Sequence, residues 1–291
     1  MGAPPPETEG DTAPPQRGGP HAARFRALIR QMTGISLPPA KIHLIEQRLR
    51  RRVVAFDLPD TETYLQMLLD QPGMEEELRL VIDLITTNTT SFFREAAHFD
   101  FLAQGIVPGR LARALPGHRA RLKVWSAAAS EGAEAYTIAM VLAEMQRKGH
   151  GFDWAVLGTD ISNRMLARAA EAIYDAEQLS TVPPELRARY FLTGAHPSVA
   201  GKARVVPELR RRVKFRHLNL MDESYPVDHD VDVIFLRNVL IYFDQADKER
   251  VIARLSRHLA PEGYLIVGHA ESMVVRHSTL KQVKPTVFQK I

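Results

Sequence analysis

Apolar residues recur at helical spacing in the N-terminal part of the chain. Phe25, Leu28, Ile29 and Met32 follow the i, i+3, i+4, i+7 pattern that puts them on one helix face, and Gly34 stands where a C-cap glycine would. Ile42, Ile45, Leu49 and Val53 form a second stripe after Pro38-Pro39. Tyr64, Leu65, Leu68 and Leu69 mark a third helix, and Leu78, Val81, Ile82 and Ile85 a fourth. From about residue 120 the rhythm changes to short apolar runs alternating with helical patterns. The runs are Leu122–Ser126, Ala155–Asp160, Val213–His217, Val231–Arg237, Gly263–Gly268 and Thr286–Ile291. Helices are predicted from near Glu134 to Arg147, from Arg164 to Ala172, and over 245–259. Strands alternating with helices predict βαβ units and a mostly parallel sheet. Residues 187–215, with Gly194, Pro197, Gly201 and Pro207, break the rhythm and read as a hairpin-like insertion.

The predicted organisation is therefore a tail over 1–20, an all-α domain over 21–87 and an α/β domain over 88–291. The tail holds six prolines, four glycines and, Met1 aside, no large apolar side chain, so it cannot bury enough surface to offset its ordering entropy and is expected to be disordered. It has no apolar core or basic start of the kind a signal peptide needs, and no apolar run approaches the ~18–20 residues of a membrane span. A cytoplasmic location without membrane insertion is the expectation. The absence of cysteine excludes disulfides, cysteine-ligated zinc, iron–sulfur clusters and thiol catalysis.

The formal charge of +4 is too mild to argue for nucleic acid, but its distribution is uneven. Between Arg24 and Arg52 there are eight basic residues and one acidic; between Asp57 and Asp83, eight acidic and one basic. Arg48, Arg51 and Arg52 share one face of the second helix. Two readings fit: a solvated face balancing acidic neighbours, or a docking surface for an acidic partner. No aromatics interleave with these arginines, so a single-strand stacking platform is not expected.

Several catalytic signatures are missing. There is no G-x-S-x-G and no H-E-x-x-H, and Gly201-Lys202-Ala203 has neither the upstream glycine spacing nor the hydroxyl of a P-loop. What remains is the first strand-to-helix turn, Ser126 to Glu134. Its small residues permit close approach of a ligand at the carboxyl end of a strand, and Gly132 permits the turn. The second strand ends in Asp160, which is placed either to accept hydrogen bonds from ribose hydroxyls or to cap the next helix.

Four blocks then carry a resemblance. Thr86-Thr87-Asn88-Thr89-Thr90-Ser91-Phe92-Phe93-Arg94-Glu95 with His98-Phe99, Val124–Ser130, Asp232–Asp244 (DVIFLRNVLIYFD) and Gly268-His269-Ala270-Glu271-Ser272 resemble, in order, the signatures of the CheR-type chemotaxis-receptor glutamate O-methyltransferases. The resemblance runs from about residue 22 to 291. It implies an all-α N-terminal domain and an α/β, Rossmann-like S-adenosylmethionine (SAM)-dependent methyltransferase domain with a small β-subdomain insertion. The family's G-E-E-P-Y-S is Gly132-Ala133-Glu134-Ala135-Tyr136-Thr137 here; Leu236 replaces a cysteine and Ala270 a serine.

The resemblance also implies roles. Asn88, Thr90 and Arg94 would contact SAM, Arg94 being suited to its carboxylate. Glu134 would be a further SAM contact, Asp160 the ribose acceptor, Asn219 and Leu220 neighbours of the adenine, and Asn238 and Val239 the last contact pair. Tyr242 would face the methyl group, and Arg94 and Tyr242 are the candidates for orienting the accepting carboxylate. His98, His269 and Trp125 read as structural. The implied substrate is the cytoplasmic domain of a chemoreceptor. The implied product is S-adenosylhomocysteine, with no metal required. Docking through Arg48, Arg51 and Arg52, strand addition of a receptor C-terminal peptide to the insertion, and a monomeric state complete the expectation.

Overall fold

The computed structural model describes residues 19–86, 88–114, 119–194 and 200–291. Of the expected tail only Gly19 and Pro20 fall among these, and Thr87 and residues 195–199 lie outside them. The four apolar stripes form α1 (Pro20–Thr33), α2 (Ile42–Ala55), α3 (Thr61–Asp70) and α4 (Glu75–Ile85). Pro20 opens α1 and Gly34 closes it in the left-handed conformation, while the Asp60 side chain caps α3 by accepting from Thr63 N. Phe25, Ile29, Leu49, Tyr64, Leu65 and Val81 meet in one buried cluster, so the stripes face one another.

The chain then runs through α5 (Ala97–Phe101), a π-helical turn (Leu102–Ile106) and α6 (Val107–Ala112) into the sheet. β1 (Ala120–Ala127), α7 (Ala133–Arg147), β2 (Phe152–Asp160) and α8 (Asn163–Glu171) form the first βαβα run. A small antiparallel sheet follows: β3 (Ile173–Asp175), α9 (Pro184–Tyr190), β4 (Phe191–Thr193) and β5 (Lys202–Val205), with β5 in the centre. The remaining elements are α10 (Pro207–Arg210), β6 (Val213–His217), β7 (Val231–Leu236), α11 (Gln245–His258), β8 (Leu259–Val267), β9 (Leu280–Lys284) and β10 (Val287–Lys290).

The main sheet has the order β6-β2-β1-β7-β8-β10-β9. Its first five strands are parallel, and β10 and β9 close the edge antiparallel. Strand alternation divides two cores. Val124, Val233 and Phe235 pack on one face with α7, while Trp125, Ile234 and Leu236 pack on the other with α11. Strand order reverses about β1, which pairs with β2 on one side and β7 on the other, so the crevice expected for a ligand lies at the carboxyl ends of these three strands.

Three expectations need correcting. The insertion begins earlier than 187, because β3 belongs to it, and ends before 215, because β6 is part of the main sheet. β8 starts at Leu259 rather than Gly263, its pairing with β7 broken by a register shift between Val231 and Val233. β9 was not expected; its residues are mostly polar and exposed, so no apolar run announces it. No helix among the described residues is long and apolar enough to cross a membrane.

Candidate functional site

One cavity opens at the carboxyl ends of β1, β2 and β7, and the helical bundle lines its other side through Ile35, Leu37, Lys41 and Arg48. The structure brings Asn88, Thr90, Arg94, Glu134, Asp160, Asn219, Leu220, Asn238, Val239 and Tyr242 together in its walls. These residues come from segments far apart in the chain, gathered by the crossover connections of the sheet.

The turn after β1 is built for close approach. Gly132 sits at φ +88°, and a Cβ there would lie 2.9 Å from the Ala169 Cβ, so only glycine fits. Phe93, Glu95, Ala128, Ser130 and Asn238 are non-glycine residues with positive φ, and all lie in the segments bordering the cavity. Each costs about 1–3 kcal/mol, an expense typical of ligand-holding loops. Asp160 is 6% exposed. Its Oδ2 accepts from Ser130 N at 2.8 Å and its Oδ1 from Ser162 N at 2.9 Å. The Ile161 amide also faces this carboxylate, which with roughly four acceptor positions still has room for a hydroxyl donor. Burial raises the Asp160 pKa, and the amide donors oppose that. The alternative role as a helix cap is not realised, because Ser162 caps α8 by accepting from Met165 N.

Beneath the turn lies an ionic cluster that motif reading alone did not assign. Arg237 is 7% exposed at the end of β7. Its Nη1 donates to Glu134 Oε2 at 2.8 Å, and its Nη2 donates to the Arg94 carbonyl and, at 3.1 Å, to Glu95 Oε2. Ser126 Oγ donates to Glu134 Oε1 at 2.7 Å. Glu134 is therefore fixed by two partners, and the Arg94 backbone is held by a third interaction of Arg237. Burial would raise the Glu95 pKa, but the Arg237 guanidinium outweighs it and holds the carboxyl below its usual range. His98 stands behind this cluster, bonded through Nε2 to Thr286 Oγ1 at 2.7 Å and stacked on His269. Burial, aided by Arg237, pushes His98 down to about 4, so it is neutral at physiological pH. The signal for Arg237 in the sequence is a charge ending a run of six buried apolar and acidic positions, 231–236.

The Arg94 side chain lines the cavity, its Nη1 donating to the Thr89 carbonyl at 3.2 Å. Asn219 reaches across the seam to the bundle: its Nδ2 donates to Met32 O at 2.6 Å and its Oδ1 accepts from Met221 N at 3.0 Å. Ser36 N donates to the Tyr242 carbonyl at 2.9 Å, and Arg30 pairs with Asp244. The bundle is thus pinned to two of the loops that border the cavity, those carrying Asn219 and Tyr242. The expected face of three arginines does not form. Arg48 turns inward to donate to the Ile85 and Thr86 carbonyls. Arg52 makes a forked pair with Glu77, at 2.8 and 2.6 Å, and stacks over Phe56. Of the three, Arg51 is the exposed one. Helical spacing placed them together, but α4 presents a carboxylate and its open carbonyl end to two of them.

Residues 88–288 match the family described as CheR methyltransferase, SAM binding domain, and residues 21–86 match CheR methyltransferase, all-alpha domain. The chain belongs to the CheR methyltransferase family. Among curated relatives, it is 39% identical over 267 residues to chemotaxis protein methyltransferase 2 of Pseudomonas aeruginosa, covering 91% of each chain. It is 40% identical to the chemotaxis protein methyltransferase of Escherichia coli over 263 residues, 90% of this chain and 88% of that one. The corresponding protein of Salmonella typhimurium is 39% identical over 263 residues, 90% and 87% of the two chains. The CheR cavity fits SAM in its chemistry. A buried carboxylate with open acceptor positions suits ribose hydroxyls, a guanidinium suits a carboxylate, and apolar walls at Ile35, Leu220 and Val239 suit an aromatic base.

Proposed function

We propose that this CheR-family chain transfers a methyl group from SAM to γ-carboxylates of glutamates on the cytoplasmic helices of a chemoreceptor, acting as a monomer in the cytoplasm. The observation that carries the reading is the convergence of Arg94, Asp160, Asn238 and Tyr242 on one cavity in a chain whose relatives are named chemotaxis protein methyltransferases. SAM supplies an electrophilic methyl on a sulfonium, leaving as S-adenosylhomocysteine when the carboxylate oxygen takes the methyl.

The residues of the chain then have three tasks. Asp160, Glu134, Asn88, Thr90 and the Asn238–Val239 pair hold the donor. Arg94 and Tyr242 orient the incoming carboxylate in line with the methyl, which is the main source of rate when both reactants are bound. The accepting glutamate is ionised at neutral pH, so no general base is needed. Arg94 acts by position rather than as a tight ion pair, since strong pairing would blunt the nucleophile. The helical bundle, pinned over the cavity, excludes water, which favours a step that neutralises a sulfonium against a carboxylate.

Docking to an acidic receptor surface falls to the exposed Arg51 with its neighbour Arg50, while Arg48 and Arg52 act within the bundle. A receptor C-terminal peptide would pair with an open edge of the small sheet, where β4 exposes Leu192. The test mixes the protein with methyl-labelled SAM and a receptor cytoplasmic fragment from the same organism. Label that mild base releases as methanol supports a carboxyl methyl ester. SAM binding without transfer to any receptor fragment of that organism would reject the receptor-glutamate reading in favour of a SAM-binding regulator or a methyltransferase with another substrate.

A further inference from the structure

The block Gly268–Ser272 has no part in the chemistry proposed above, yet it contains the least exposed carboxylate among the described residues. Glu271 is 1% exposed and forms no ion pair among those residues. Four backbone amides surround it instead. Its Oε2 accepts from Gly268 N and Asn238 N, both at 2.8 Å. Its Oε1 accepts from Val239 N at 2.8 Å and Leu240 N at 2.7 Å. All of the roughly four acceptor positions of a carboxylate are filled by donors.

Three of those donors are consecutive amides in the turn that follows β7. That turn carries Asn238 and Val239 in the cavity wall and leads through the 3₁₀ segment Leu240–Tyr242 to the tyrosine. Asn238 stands at φ +60°, in the left-handed region that few residues other than Gly and Asn adopt. The carboxylate supplies what holds it there. Gly268 allows the approach: a Cβ at that position would stand 2.8 Å from Glu271 Oε2 and 3.0 Å from Asn238 Nδ2. The reciprocal bond from Glu271 N to Gly268 O, at 3.0 Å, ties the acid to the end of β8. The turn is thereby fastened from behind to the neighbouring strand of the sheet.

We infer that Glu271 is a positioning residue whose carboxylate clamps the Asn238–Tyr242 turn in its ligand-holding conformation. The inference rests on the reading of Asn238 and Val239 as SAM contacts, and it is independent of which substrate receives the methyl.

The test measures SAM binding by calorimetry on the full chain and on Glu271→Gln, Glu271→Asp, Gly268→Ala and Asn238→Ala, with circular dichroism confirming the folded state at the assay temperature. In Glu271→Gln the amide NH₂ would face two N–H donors, so SAM affinity is expected to fall at least ten-fold. Glu271→Asp keeps the charge but is one methylene short, and is expected to lie between the parent and Glu271→Gln. Gly268→Ala leaves the acid in place and is expected to weaken binding by crowding it. Hydrogen exchange at the amides of residues 238–240 should accelerate in each of the three. A carboxylate that only supports the fold would lower the melting temperature while leaving the affinity of the folded protein unchanged, and that result would overturn the inference. If Glu271→Gln does not fold, parental affinity in folded Gly268→Ala overturns it equally. Unchanged binding by Asn238→Ala would instead reject the assignment of the turn as a SAM contact.

Discussion

Acidification is expected to destabilise this protein through the buried His98. The imidazole is buried, bonded to Thr286, and flanked by Arg237, Glu95 and His269. Burial and Arg237 hold its folded pKa near 4, against an ordinary value of 6.5. The unfolded chain therefore takes up this proton as pH falls through 6.5, whereas the folded protein resists until about 4. Between those values the unfolded state binds more protons, so stability falls with pH. At pH 5 the unfolded imidazole is almost fully protonated and the folded one mostly neutral. The difference of about 1.5 pH units at 1.36 kcal/mol per unit gives roughly 2 kcal/mol lost from this group alone. Urea unfolding of the parent and of His98→Gln at pH 7 and pH 5 isolates the contribution. Glu95, held low by Arg237, loses its own contribution at still lower pH and does so in both proteins. The parent should lose about 2 kcal/mol more than the variant over this interval. Equal losses in the two proteins would mean that folded His98 does not resist protonation.

Other substitutions separate cofactor binding, chemistry and fold. Arg94→Ala should abolish methyl transfer while the melting temperature stays near that of the parent; near-normal turnover would remove Arg94 from the chemistry. Asp160→Asn replaces one acceptor oxygen by a donor beside backbone N–H groups. It should weaken SAM binding by about 2–3 kcal/mol, roughly 30- to 150-fold in Kd by calorimetry. Arg237→Met leaves Glu134 and Glu95 without their shared cation, and unfolding in urea should show a loss of about 3–5 kcal/mol.

The sequence was readable where one local physical requirement dominated. The stripe Phe25, Leu28, Ile29, Met32 had to be a helix, and the run Val231–Leu236, buried along its whole length, had to be an interior strand. Reading failed where structure depends on distant partners. β9 is polar and forms only because β10 offers it an edge. β3 has three residues and exists by pairing with β5. β8 carries Pro261 near its start, a residue that argues against a strand until the register shift beside it is seen. The same division holds in the site. Asp160 was legible because an acid ending a strand has a local meaning. Arg237 was not assigned because its partner Glu134 is 103 residues away. Glu271 was visible as a motif, but its task depends on amides 31 to 33 residues distant. The three arginines of α2 show the reverse error: a local pattern suggested one open face, and Glu77 and the end of α4 claimed two of them.

The proposed activity directs a methyl group onto protein glutamates. The most direct measurement is peptide mass spectrometry of a receptor cytoplasmic fragment after incubation with SAM and this protein, with Arg94→Ala as the control. Single methyl additions on glutamate side chains, lost after mild base and absent with the variant, are expected. Methylation on lysine, arginine or another residue type, or equal glutamate methylation by the variant, would contradict the proposed activity.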